Sequence, residues 1–188
     1  MIGMDKEEIV RLTEEYGGEW AINHTRRLLH LVSLIAEGQE YNADAVWLAA
    51  HLHDWGGYAR WARPGVSHAA RSRQVAETFL AEKGYPEDLS ELVLECIALH
   101  HSRDPGKSTE AILLSDADAL DFLGVVGILR DFSKNPRDLK KGYETSKKRR
   151  ETLFQMLCLD KSKTIAAKRM GEMDQVFAHF EADSFGYF

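Results

Sequence analysis

Apolar residues recur along this chain at helical intervals, and no stretch alternates as a half-buried strand does. Residues 5–16 predict a polar amphipathic helix stopped at Gly17-Gly18. From 20 to 37, Ile22, Thr25, Leu29, Val32 and Ala36 repeat one turn apart, flanked by Ala21, Leu28, Leu31 and Ile35, which predicts a helix with a broad buried face ended by Gly38. Asn42 is placed to cap the next segment, "ADAVWLAAHL", whose apolar surround predicts a central helix. Gly56-Gly57 should stop it, and residues 59–66, with Pro64 and Gly65, read as a loop. A helix is expected from about Ser67 to Lys83, ended by Gly84. Pro86 suits a first-turn position, with Glu87 and Asp88 near the positive helix end. There Leu89, Leu92, Val93, Cys96, Ile97 and His100 form one stripe. Beyond the loop "SRDPGKS", residues 109–132 read as one helix or two short ones. Asn135-Pro136 should open a long basic helix through about Leu157, and a last helix spans about Ser162 to Glu181 before the tail "DSFGYF". The predicted fold class is all-α, without internal repeats or low-complexity tracts.

Composition narrows the class. The 188 residues suit one domain, and 44% hydrophobic residues suffice for a full core. Lys and Arg total 24 against 30 Asp and Glu, a formal charge of −6, which argues against a nucleic-acid-coating surface. It leaves room for a small anionic substrate, because a metal and a few arginines reverse the field locally. Cys96 and Cys158 offer no disulfide framework and read as free thiols in a reducing cytosol. "MIGMDKEEIV" has acids where a signal peptide needs bases, and no stretch approaches the roughly 20 apolar residues of a membrane span. The expected location is cytoplasmic.

Several polar residues fall where a bland core would not place them. His24 lies on or beside the buried face of its helix. His53 and Asp54 end the fully apolar helix, where a cation meets the negative end of the helix dipole. His68 starts the next helix, His100 and His101 close another, and Asp118 follows Leu114 by one turn, with Asp116 and Asp121 nearby. Each alone has an ordinary explanation as a hydrogen-bonded core residue or a helix-end residue. Five histidines and two aspartates on buried faces of one helical chain together suggest a metal site. Imidazole with carboxylate suits Fe, Mn, Co, Ni or Zn better than Ca, and a set without Cys excludes a structural thiolate zinc.

The order His24, His53-Asp54, Asp118 resembles the H…HD…D signature of the HD-domain superfamily of metal-dependent phosphohydrolases. The resemblance covers roughly residues 20–130 through "HTRRLLHLVSLIA", "WLAAHLHDWG", "SHAARSRQVAETFLAEKG" and "AILLSDADALDFLGVVGILRDF". It is closest to small stand-alone bacterial members, and "TIAAKRMGEMDQVFAHFEAD" is similar to their closing helix. It implies a helical HD bundle over 1–188, with a core of about 20–130 and a C-terminal helical extension of about 135–182. It also implies that His24, His53, Asp54 and Asp118 bind one divalent ion (Mn, Fe, Co, Ni, Mg or Zn). A second ion in dinuclear members would fall to His68 and His101, with His100 as the competing choice. One departure bears on pocket shape: the family commonly follows HD with an aliphatic residue and Gly, and this chain has Trp55, Gly56 and Gly57.

The implied reaction is hydrolysis of a nucleotide or other small phosphoester or pyrophosphate. A bound cation lowers the pKa of its water from about 15.7 toward 7, and phosphoryl transfer then needs charge neutralisation more than covalent help. Asp54 would bridge or orient, Asp118 would hold the first ion and accept the water's proton, and His68, His100 or His101 would hold the second ion or protonate the leaving oxygen. Arg27, Arg71, Arg103 and Lys107 are candidates for phosphate contacts. The basic run "DLKKGYETSKKRR" reads as a solvated face. Two alternatives use the same ligands: a di-iron oxygenase of HD type, and a non-catalytic module that binds metal or nucleotide.

Overall fold

The computed structural model describes residues 5–188; residues 1–4, which the expected domain includes, lie outside it. The described residues form eight α-helices and one short 3-10 turn, with no strand. The chain separates into two compact units, Met1–Ser115 and Asp116–Phe188.

The first unit contains α1 (Lys6–Ile35), α2 (Ala43–Leu52), the 3-10 turn Trp55–Gly57, α3 (His68–Glu82) and α4 (Glu87–Leu99). It also holds the first half of α5 (Thr109–Phe122). The stop expected at Gly17-Gly18 is a kink. Gly18 alone adopts φ 66°, ψ −166°, and helix continues on either side of it. Glycine tolerates that left-handed φ without Cβ strain. The predicted Asn42 cap forms, its side chain accepting from the backbone N–H of Ala45, and Ser67 caps α3 in the same way, accepting from that of Ala70. The central helix ends sooner than Gly56-Gly57. Its last helical residue is Leu52, and His53 is the cap.

From Ala45 to Leu52 α2 is buried except for the half-buried Trp47, and α1 closes over its C-terminal end. Exposed carbonyls there need donors. Thr25 Oγ1 donates to Ala50 O at 3.3 Å, and Thr13 Oγ1 lies 3.4 Å from His51 O. Trp55, 1% exposed, donates from its indole to Thr13 Oγ1 at 3.2 Å and packs edge-on against Tyr16 and Phe79. These contacts lock the segment after α2 between α1 and α3.

The second unit contains the rest of α5, then α6 (Val125–Lys134), α7 (Leu139–Phe154) and α8 (Asp160–Ser184). Of the two readings of residues 109–132, the two-helix one is correct. Gly124, at φ 109°, breaks the run. The basic helix starts at Leu139, not at Asn135-Pro136, because Asp138 caps it by accepting from Lys141 N. Asp116 is fully buried and accepts from Cys158 N at 2.9 Å and Leu159 N at 2.9 Å, which anchors the start of α8. Asp121 pairs with Arg130, and Asp131 takes Arg149 and Ser146. Desolvation nevertheless raises the Asp131 pKa.

Candidate metal centre

The first unit brings six of the singled-out side chains together at the end of α2. His24 projects from the buried stripe of α1, next to Thr25, whose hydroxyl ties α1 to the last turn of α2. His53 caps that turn. Its Nδ1 lies 3.0 Å from Ala50 O, and since a carbonyl only accepts, Nδ1 carries the proton. Its Nε2 is buried and makes no hydrogen bond. Fixing one ring nitrogen on a backbone carbonyl is the usual way to orient an imidazole for an ion. His100 repeats the device at the end of α4, with Nδ1 2.6 Å from Ile97 O.

Asp54 lies between these groups. Its Oδ2 is 3.5 Å from His53 Nε2 and 3.9 Å from His24 Nε2, while its Oδ1 is 3.8 Å from His68 Nε2. His68 Nε2 in turn lies 3.3 Å from His100 Nε2 and 3.2 Å from His101 Nε2. His100 is buried, and His68 and His101 are open to solvent. Two ligand atoms, each about 2.1 Å from one ion at a tetrahedral or octahedral angle, lie about 3.0–3.4 Å apart. The imidazole spacings match this range, and the carboxylate spacings exceed it slightly. Three ring nitrogens facing one another cannot all be satisfied by one proton. A shared cation could bind all three.

Sequence spacing left His100 and His101 as rivals; both reach His68, because the helix ends at Leu99 and the turn directs consecutive side chains to the same partner. The position of Asp54 depends on Gly56. Its N–H donates to Ser72 Oγ at 2.9 Å, and a Cβ there would fall 2.2 Å from Ser72 N. The bare backbone of the HDWGG turn thus touches α3 one turn beyond His68.

The remaining candidates are distributed differently. Asp118 is buried on α5. Arg27 stands one turn after His24, half-buried, and Arg103 is exposed in the α4–α5 loop. Arg71 donates to Trp61 O and Gln74 Oε1. Lys107 is 7% exposed, and its ammonium serves Ser102 O at 2.7 Å, Ser115 Oγ at 3.1 Å and Leu99 O at 3.5 Å. Its three protons are thus used inside the protein, bracing the loop after His101. Sequence reasoning passed over this brace and the two threonine ties of α1. A Thr one turn from another apolar position was the only local signal for the ties. His51 was passed over as well. Its ring lies against that of Trp47 at a tilt of 35°, its Nδ1 meets Trp47 O at 2.8 Å, and burial lowers its pKa to about 4.

A model of the HD domain family matches residues 21–123, more than half of the chain. The chain belongs to the HD domain family. HD domains bind divalent metals, and the imidazole and carboxylate groupings described above could hold one. No curated protein matches this HD chain. Among solved structures it is similar to Bacillus subtilis YpgQ in complex with ADP, with 22% identity and a TM-score of 0.73 over 94% of this chain and 93% of that one. It is also similar to a predicted HD superfamily hydrolase from an uncultured Thermotogales bacterium, with 24% identity and a TM-score of 0.68 over 95% and 92%. A third is an HD-superfamily hydrolase from Bacillus thuringiensis, with 22% identity and a TM-score of 0.71 over 94% and 95%. These likenesses show the shared all-α fold. Among the described residues, no helix is long and apolar enough to cross a membrane.

Proposed function

We propose that this HD domain hydrolyses a small phosphorylated substrate, a nucleotide by preference, using water activated at a divalent-metal centre. The observation that carries the reading is Asp54. One of its oxygens faces His24 and His53, and the other faces His68, which itself meets His100 and His101. A carboxylate set between two imidazole groups suits two ions rather than one. The first would be held by His24, His53, Asp54 and Asp118, and the second by Asp54, His68, His100 and His101. The assignment of Asp118 is supported by the H…HD…D order within the matched segment and by a buried carboxylate on α5. That segment runs on past Ser115 to 123, which supports reading the chain as one HD domain.

Divalent ions there would supply Lewis acidity and a water that ionises near neutral pH. The chain's own residues set the rest. The Nδ1–H bonds of His53 and His100 hold their rings in the metal-binding tautomer. Asp54 and Asp118 offset the ionic charge, and Asp118 can take a proton from water. His68 and His101, at the open side, face an incoming substrate. Arg27 and Arg103 are the proposed phosphate contacts, since Lys107 spends its donors internally. The ADP held by YpgQ supports a nucleotide.

The test is elemental analysis of the purified protein, followed by a phosphate-release screen over nucleotides and phosphoesters with Mn, Mg, Co, Ni, Fe or Zn. Ion-dependent release that disappears in Asp54→Ala, with helical circular dichroism retained, is the expected outcome. No release with any ion refutes the hydrolase. Iron content with oxygen consumption would move the assignment to the di-iron alternative.

A further inference from the structure

A cavity of about 290 Å³ opens in the first unit behind the HDWGG turn, and none of its walls belongs to the ligand set. Four aromatic rings shape it: Tyr16, Trp55, Trp61 and Phe79. Tyr16 meets Trp55 edge-on at 5.0 Å and Trp61 at 5.9 Å, and Trp55 meets Phe79 at 5.2 Å. Trp55 is held by its bond to Thr13, and the Trp61 segment is pinned by Arg71 Nε donating to Trp61 O at 2.7 Å. The box is therefore built rather than a chance gap between side chains.

Two features say what it takes. The guanidinium of Arg60 already lies 4.8 Å from the Tyr16 ring centre and 5.1 Å from that of Trp61, so these faces accept a flat, delocalised group. The indole N–H of Trp61 is buried and has no hydrogen-bond partner. A buried donor left unpaired costs about 1–3 kcal/mol, which an acceptor on a bound molecule would recover. The polar rim offers both signs: Arg60 as donor, Glu82 as acceptor, and Gln74 as both. A planar ring whose edge carries acceptors and donors fits all of these at once. The volume, near the lower limit for small-molecule pockets, admits one such ring and excludes a peptide or a polymer.

We propose that this cavity binds a purine or pyrimidine ring, at a site separate from the metal centre and back to back with it across the Asp54–Gly57 turn. The ring takes the place of the Arg60 guanidinium against the face of Tyr16 and accepts an in-plane hydrogen bond from Trp61 Nε1, whose own ring stands edge-on to Tyr16. The site stands on its own geometry and does not depend on the hydrolase reading.

The test uses nucleosides, which have no phosphate for the metal centre to hold or cleave. The metal-loaded full chain, labelled with 15N, is titrated with adenosine, guanosine, cytidine and uridine to millimolar concentration while the four indole N–H signals are followed. Trp61→Phe assigns the Trp61 signal. The expected result is a saturable shift of that signal with at least one nucleoside. Loss of the N–H in Trp61→Phe should weaken binding about five- to tenfold, read by calorimetry. Thr78→Trp, placed on the exposed rim to fill the cavity, should abolish the shift while leaving metal content unchanged. No saturable shift with any of the four, or an undiminished shift in Thr78→Trp, overturns the proposal.

Discussion

Gly56 is the position where a single methyl group should separate the two halves of the metal centre. A Cβ there would stand 2.2 Å from Ser72 N and 2.5 Å from the Arg71 carbonyl carbon, both backbone atoms of α3. An ordinary contact needs about 3.4 Å or more, so the turn and α3 must part by about 1 Å. The Gly56 N–H bond to Ser72 Oγ, now 2.9 Å, breaks with that movement. Overpacking costs about 1–3 kcal/mol and the lost bond about 1 kcal/mol. Together they predict that Gly56→Ala loses about 2–4 kcal/mol, or about 4–16 °C in melting temperature for a chain of this size. The same parting moves Asp54, on the turn, away from His68, on α3, which now lie 3.8 Å apart. The second ion should then be lost before the first. Thermal unfolding followed by circular dichroism, with metal stoichiometry of the purified variant, checks both effects. Two glycines serve as controls. Gly57→Ala meets only His68 Cβ at 3.4 Å, and Gly171→Ala on α8 meets nothing within 4 Å. Both should melt within a few degrees of the parent. A Gly56→Ala protein that melts with these controls and keeps full metal content would refute the close-approach argument.

Other expectations follow from groups whose hydrogen bonds are now known. Asp116→Ala leaves the N–H groups of Cys158 and Leu159 without their acceptor and should cost about 2–4 kcal/mol in urea unfolding. Its metal content should be unchanged; a loss of metal equal to that of Asp54→Ala would mean that the wrong aspartate was assigned. Lys107→Met should lower the melting temperature and leave KM for a nucleotide within about twofold, because its ammonium serves Ser102, Ser115 and Leu99. A large rise in KM without a change in stability would return it to the phosphate contacts. His51 has its folded pKa lowered from 6.5 to about 4 by burial, so the unfolded chain binds its proton first as pH falls. Its contribution is complete above pH 6.5 and is lost on the way to pH 4, about 3 kcal/mol in all. His51→Leu should flatten stability over that window, and an unchanged slope would contradict the assignment.

The helical class, most helix limits and the Asn42 cap were legible in the residue order, because spacing at 3.6 residues per turn and the hydrogen bonding of an Asn side chain act within a few positions. The misread ends share one cause: the start of α7 and the stop of α2 are decided by a single capping carboxylate or by packing after the last turn, not by the nearest Pro or Gly. The H…HD order marked the candidate ligands, but no local property could say that His68 meets both His100 and His101, or that Asp54 divides its oxygens between two imidazole groups. The His68 contacts with His100 and His101 join residues more than thirty positions apart, and Asp54 reaches His68 from an earlier element. They exist because Thr13 and Thr25 close α1 over the end of α2, and because the bare backbone of Gly56 touches α3. The tertiary structure likewise decided that Lys107 and Asp116 are braces, since a charged side chain takes its role from whichever unpaired backbone groups the packing sets beside it.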